Sequence, residues 1–239
     1  MEYFYFSIIV LAASFLQGLT GFGFAILAAP LCLLFFEQQE VVIVLSAVSL
    51  LLNLYLVLKI KASPDFQILR QLLLAGIMGL PVGVAVLLMF NPEFLKISTS
   101  LLVLTFALLS LFPKLSFKKN DWITVNVGFL SGLLQSGIGL NGPILALTLN
   151  SYDLEPIKIR KTLAILFLAL SSFSIPLFIL SNIVNQKVIS LSLLALPFIC
   201  LGAWLGNIAF DNSKQHHFKL MTMALSVIAA LYSIMRILS

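Results

Sequence analysis

Charged residues cut the chain into eight long apolar runs: 3–36, 41–58, 71–92, 97–113, 122–152, 162–186, 188–210 and 220–235. A helix that crosses a bilayer needs about 20 consecutive apolar residues, because each residue advances it by about 1.5 Å. Six runs suit one such helix each, whereas 3–36 and 122–152 are too long for a single straight span. The pattern predicts an all-α polytopic membrane protein.

The two overlong runs share a motif. Leu16-Gln17-Gly18-Leu19-Thr20-Gly21-Phe22-Gly23-Phe24-Ala25-Ile26-Leu27-Ala28 returns 118 residues later as Leu134-Gln135-Ser136-Gly137-Ile138-Gly139-Leu140-Asn141-Gly142-Pro143-Ile144-Leu145-Ala146, with six of thirteen positions identical. At the same offset Glu37 matches Glu155, Leu45 matches Leu163, Leu50 matches Leu168 and Asn53 faces Ser171. At an offset of 123, Gly79-Leu80-Pro81-Val82-Gly83 aligns with Gly202-Ala203-Trp204-Leu205-Gly206, and Lys96 with Lys219. Leu against Leu is cheap in so apolar a chain, so the matched Gln, Gly and Glu positions carry the comparison. They divide the chain into two four-run repeats, 1–120 and 121–239. The G-x-x-x-G pairs read first as sites of close helix packing.

Charge adds orientation. If every run crosses once, alternate loops hold eight Lys and Arg against six, which is no bias. If 122–152 enters and leaves on one face, the count becomes eleven against three, with Lys96, Lys187 and Arg236 in the minority. Basic loops collect on the cytoplasmic side of a membrane, so a hairpin gives the chain a clear orientation, with the loops around Lys59, Lys118, Arg160 and Lys214 cytoplasmic. By repeat logic 3–36 forms the equivalent hairpin, each half keeps three true spans, and the halves are inverted. Two long, tilted or kinked helices with weak charge bias are the competing picture.

Composition narrows the function classes. The chain is 61% hydrophobic and 10% charged, against about a quarter charged in soluble domains. Its net charge of +5 sits in short loops, where it orients the chain in a cell (inner) membrane and gives no nucleic-acid surface. The N-terminus has Glu2 but no basic segment, and reads as mature chain, not signal peptide. Cys32 and Cys200 fall in apolar runs and read as small hydrophobes. His216-His217 lies beside Lys214 and Lys219 as a solvated pair, and no Cys/His cluster has metal-ligand spacing. No nucleotide-binding loop, catalytic triad or paired intramembrane carboxylate is visible, so neither an enzyme nor a cofactor is expected.

The candidate chemistry lies in the duplicated motif. A helix that stops inside a membrane exposes backbone N–H groups and a partial positive charge, which hold an oxyanion without a buried Lys or Arg. Gly21, Gly23, Gly137, Gly139 and Gly142 permit the breaks, and Pro143 suits the first turn of the returning helix. Gln17 and Thr20 in one copy, with Gln135, Ser136 and Asn141 in the other, supply neutral donors. Asn53, Ser171 and Ser172 follow each motif as possible cavity-lining groups. Capping of broken helices and helix–helix hydrogen bonding are the plainer readings of these polar residues. Glu37 and Glu155 are candidates for coupling and Arg160 for an anion entrance, against the plainer role of interfacial anchors.

The runs Gly18-x-x-Gly21-x-Gly23 before Pro30, and Ser131-Gly132 through Gly139-x-Asn141-Gly142-Pro143, resemble the TauE/SafE sulfite exporter family over essentially the full length. The resemblance implies a permease for small anions, with sulfite, sulfoacetate and related organosulfur compounds as substrates. Phe22 and Phe24 stand around Gly23 where a near-continuous glycine run is usual. The expectation is therefore a secondary transporter or facilitator of a small anion, with the lipid bilayer and that anion as partners. A non-transporting membrane scaffold is the alternative.

Overall fold

The computed structural model describes residues 1–109, 120–152 and 154–209, with the isolated positions 227, 228, 231 and 235. Its continuous helices are α1 (Glu2–Thr20), α2 (Phe24–Cys32), α3 (Gln38–Lys59), α4 (Phe66–Met89), α5 (Pro92–Leu109), α6 (Asp121–Ile138), α7 (Gly142–Asn150), α8 (Pro156–Leu180) and α9 (Gln186–Ile208). Of these, α1, α3, α4, α8 and α9 are long and apolar enough to cross a membrane, by length and composition. Most of the run 220–235, together with Lys114, Lys118, Lys119, Lys214, His216, His217, Lys219 and Arg236, lies outside the described residues.

Both overlong runs are divided at the glycines. Gly21 ends α1 at φ 84° and Gly23 precedes α2 at φ 115°, a left-handed region where any Cβ collides with the neighbouring carbonyl. Gly139 ends α6 at φ 78°, and α7 starts at Gly142 with Pro143 in its first turn. Each pair then folds back on itself. Tyr5 stacks on Phe35 at 5.3 Å and Phe6 meets Phe36 edge-on at 5.8 Å, so the start of α1 and the segment after α2 share one end of the bundle. The hydroxyls of Thr124 and Tyr152, 2.9 Å apart, join the start of α6 to the segment after α7 in the same way.

Polar contacts define the two ends. At one, here end A, Glu37 pairs with Lys96 at 3.3 Å and Glu40 with Lys187 at 2.8 Å, while Lys187 also sits over the Phe36 ring. At end B, Lys161 Nζ donates to the carbonyls of Val57 and Ile60 at 2.6 and 3.0 Å, and the Asp65 N–H donates to Thr162 Oγ1.

Glycine decides which helices touch. α1 lies along α9 and α4 along α6, while α3 packs against α8. A Cβ on Gly202 would stand 2.6 Å from the Leu11 carbonyl oxygen, and one on Gly128 2.7 Å from that of Leu72. Backbone therefore meets backbone at both crossings, as the G-x-x-x-G spacing implies. One apolar core is built mainly from α1, α2, α3 and α9, a second from α4, α6, α7 and α8, and a small third joins Leu56 and Ile60 to Ala164. Leu58, Phe66, Met78, Met89, Trp122 and Leu180 face outward, as lipid contact requires.

Candidate functional site

Because the breaks fall where the chain reverses, the N-termini of α2 and α7 meet, with Gly142 against Phe22 and Gly23. Between them and the neighbouring helices lies a small cavity, with room for about one water molecule. From the duplicated motif it takes Gln17, Gly23, Phe24, Ala25, Ile26, Gln135, Gly139, Asn141 and Gly142; Leu45, Ser46 and Ser49 of α3 and Phe167 of α8 complete its wall.

The two glutamines are held alike. Gln17, 3% exposed, donates through Nε2 to Asn53 Oδ1 at 2.7 Å, and Asn53 in turn donates to the Ser49 carbonyl and hydroxyl at 2.7 and 2.9 Å. Gln135, 4% exposed, donates to Ser171 Oγ at 2.9 Å and accepts from Asn141 Nδ2. Each glutamine reaches a partner 36 residues further on. Around them the first-turn N–H groups of α2 and α7 have no partner within their own helices, and both helix ends carry partial positive charge. The lining thus combines amide donors, hydroxyls and two positive helix ends.

Other expected site residues sit elsewhere. Thr20 accepts from the Phe22 N–H at 3.3 Å and donates to the Leu16 carbonyl at 2.9 Å, closing the turn after α1. Ser136 is fully buried and donates to the Leu80 carbonyl at 2.7 Å, while Gly137 abuts Gly83; both belong to the α4–α6 crossing. Ser172 is exposed and donates to the Leu168 carbonyl, on the outer face of α8. Glu37 and Glu155 precede α3 and α8 as exposed N-caps paired with Lys96 and Lys158, the latter at 3.2 Å.

Arg160 is not at an open entrance. It is 4% exposed, in the second turn of α8, and donates through Nη2 to the Gly18 carbonyl at 2.5 Å. Its side chain lies across Gly21, where a Cβ would come within 2.5 Å of Arg160 Cγ. Ser46 and Ser49 are the polar cavity-lining residues missing from the sequence reading. Their signal was present, since Ser46, Ser49 and Asn53 recur at helical spacing on one face of an apolar run.

No group of His, Cys, Asp and Glu among the described residues could hold a metal ion. Apolar membrane-length helices around two broken ones, with amide groups gathered where the breaks meet, define a multi-pass membrane protein of the transporter type. The model of the sulfite exporter TauE/SafE family matches residues 6–233, and the chain belongs to that family. Neither the curated proteins nor the solved structures contained a match.

Proposed function

We propose that this protein is a secondary transporter or facilitator that carries a small oxyanion, of the sulfite or organosulfonate class, across the cell membrane by alternating access to the central cavity. The observation that carries the reading is the meeting of two half-helix N-termini beside Gln17 and Gln135. Positive helix ends and neutral amides bind an anion firmly enough to select it and loosely enough to release it. Gly23, Gly139, Asn141 and Gly142 shape the site, Pro143 stiffens the first turn of α7, and Ser46 and Ser49 add hydroxyls.

In this reading the chain is an inverted repeat, 1–120 and 121–239, and each motif is a re-entrant hairpin. Three sets of contacts support it. The crossing of α1 with α9 has its counterpart in that of α6 with α4; α3 packs on its own counterpart α8; and the Gln17–Asn53 bond has its counterpart in Gln135–Ser171. Among the described residues, end B carries Lys59, Lys61, Arg70, Lys158, Arg160 and Lys161 against Lys96 and Lys187 at end A, which favours end B as cytoplasmic.

Purified protein in liposomes is expected to move sulfite or sulfoacetate down its gradient, with Gln17→Ala and Gln135→Ala each slowing the flux. An anion panel that produces neither flux nor a thermal shift would overturn the reading in favour of a scaffold. Unchanged flux in both variants would remove the site from it.

A further inference from the structure

The wall of the cavity continues toward end A along one face of α3. Val41, Leu45 and Ser49 recur every four residues and so share that face, each step advancing about 6 Å. Leu45 and Ser49 border the central cavity, while Leu45, Val44, Val41 and Glu40 border a second void between α1, α2, α3 and α9. The second void is too narrow for water, because Phe6, Cys32, Phe36 and Leu191 fill the space, none more than 4% exposed. At its outer margin Lys187 of α9 meets Glu40 at 2.8 Å and stands 5.1 Å from the centre of the Phe36 ring. Phe36 belongs to the turn between α2 and α3, not to a helix. Lys187 lies in the first turn of α9, where the positive helix end disfavours a cation, so its contacts across the bundle are what its charge serves. End B is built otherwise. The 118-residue correspondence sets Lys158 opposite Glu40, and Lys158 pairs with Glu155 of its own segment, their side chains 44% and 66% exposed. That pair ties down no second helix.

We propose that Lys187 is the latch of a gate between the central cavity and end A. Its pair with Glu40 and its hold on the Phe36 ring keep the apolar plug seated; when they break, the Phe36 turn moves aside and the void beside Leu45 joins the cavity to end A. The plug supplies the barrier, because an anion among Phe6, Cys32, Phe36 and Leu191 would lose its water and gain no polar partner. The latch keeps the gate reversible, because an ion pair with partial access to water is a weak tie. This inference rests on the proposal that the cavity carries anions, and it names what controls entry to it from one face.

The plug carries its own reporter. Cys32 lies in it, Cys200 is exposed on α9, and the chain has no other cysteine, so Cys200→Ser leaves one thiol inside the gate. In that protein, a negatively charged methanethiosulfonate is expected to modify Cys32 slowly, and Lys187→Gln to speed the reaction about fivefold or more. Glu40→Gln should also speed it, and it keeps the oxygen that caps the Glu37 N–H. Lys187→Arg retains both the pair and the ring contact and should stay slow, as should Lys158→Gln at end B. A rate in K187Q equal to that of the parent, or raised as much by K158Q, overturns the proposal. So does a lowered melting temperature with an unchanged rate, which is the signature of an ion pair that only stabilises the fold.

A second measurement locks the gate instead of releasing it. In a protein carrying C32S and C200S, the substitutions Glu40→Cys and Lys187→Cys allow the two positions to be joined by a short, reducible bis-methanethiosulfonate. Sulfoacetate flux in liposomes is expected to stop on cross-linking and to return on reduction. Undiminished flux through fully cross-linked protein also overturns the proposal. Wild-type protein that moves no anion overturns the transporter reading itself, while the Cys32 rates still decide the latch; wild-type flux with Cys32 rates indifferent to Lys187 overturns this inference alone.

Discussion

Gln17 on α1 and Asn53 on α3 share a 2.7 Å hydrogen bond that ties the end of a broken helix to an unbroken one, and Gln135 and Ser171 repeat the tie across the cavity with a shorter partner. The glutamine is constant and its anchor varies. That is the pattern expected when the glutamine amide faces the ligand and the anchor only aims it. Asn53 does this through bonds to Gln17 and Ser49, whereas Ser171 offers one hydroxyl.

Asn53→Ala should therefore disturb more than Ser171→Ala. Each deletion leaves a buried amide short of a partner, a loss of about 1–3 kcal/mol in water-soluble proteins and on average about 0.6 kcal/mol between membrane helices. The expected result is a raised KM for sulfite in both variants, larger in N53A, with a melting temperature in detergent lowered by only a few degrees. Proteoliposome flux with matched melting curves checks it, and a larger KM change in S171A contradicts it.

The glycines at the two breaks should differ in tolerance. Both Gly21 and Gly139 are left-handed, so alanine costs about 1–2 kcal/mol at either. Beyond that, a Cβ on Gly139 meets Val42 Cα at an ordinary 3.6 Å, whereas one on Gly21 overlaps Arg160 Cγ. G21A should melt well below G139A, and R160Q, whose side chain is shorter, should not restore it fully. Thermal unfolding of the four proteins is the measurement.

Gly128 and Gly202 test the clasped crossings. Alanine at either position forces the paired backbones apart, and overpacking of this kind costs about 1–3 kcal/mol. Loss of stability in G128A and G202A is expected alongside little change in Ala25→Gly, which alters a cavity wall but no crossing. Flux per folded molecule should fall in the first two, because the breaks are positioned by these crossings.

Sidedness has a direct test. In a cysteine-free background, cysteines replacing Lys61 and Lys158 should react with an impermeant reagent from the same face, and one replacing Lys96 from the other. Opposite faces for Lys61 and Lys158 would mean that the run 122–152 crosses the membrane completely.

Much of this was legible from residue order. Uniform apolar runs specify helices, because a bilayer leaves no other way to satisfy the backbone of a single segment. Gly21, Gly23 and Gly139 marked the breaks, and Gln17, Gln135 and Asn141 the cavity. Thr20 and Ser136 were misplaced because a hydroxyl in a glycine-rich turn has two equivalent uses, and only the path of the neighbouring helix decides between them. Ser172 went the same way: one residue along a helix rotates a side chain by about 100°, from the buried face of Ser171 to the lipid side. The burial of Arg160 was hidden by counting runs from one charge to the next, a rule that stops a span at its first cation even where the helix has already entered the protein.

The crossing of α1 with α9 has a consequence for biogenesis. α1 leaves the ribosome well before its main partner α9, and until α9 arrives its Leu11–Gly18 face has no backbone to meet. α6, by contrast, emerges after α4 and can dock at once. Docking of the two broken helix pairs is thus unequal in time: α6 meets α4 at once, while α1 waits for α9.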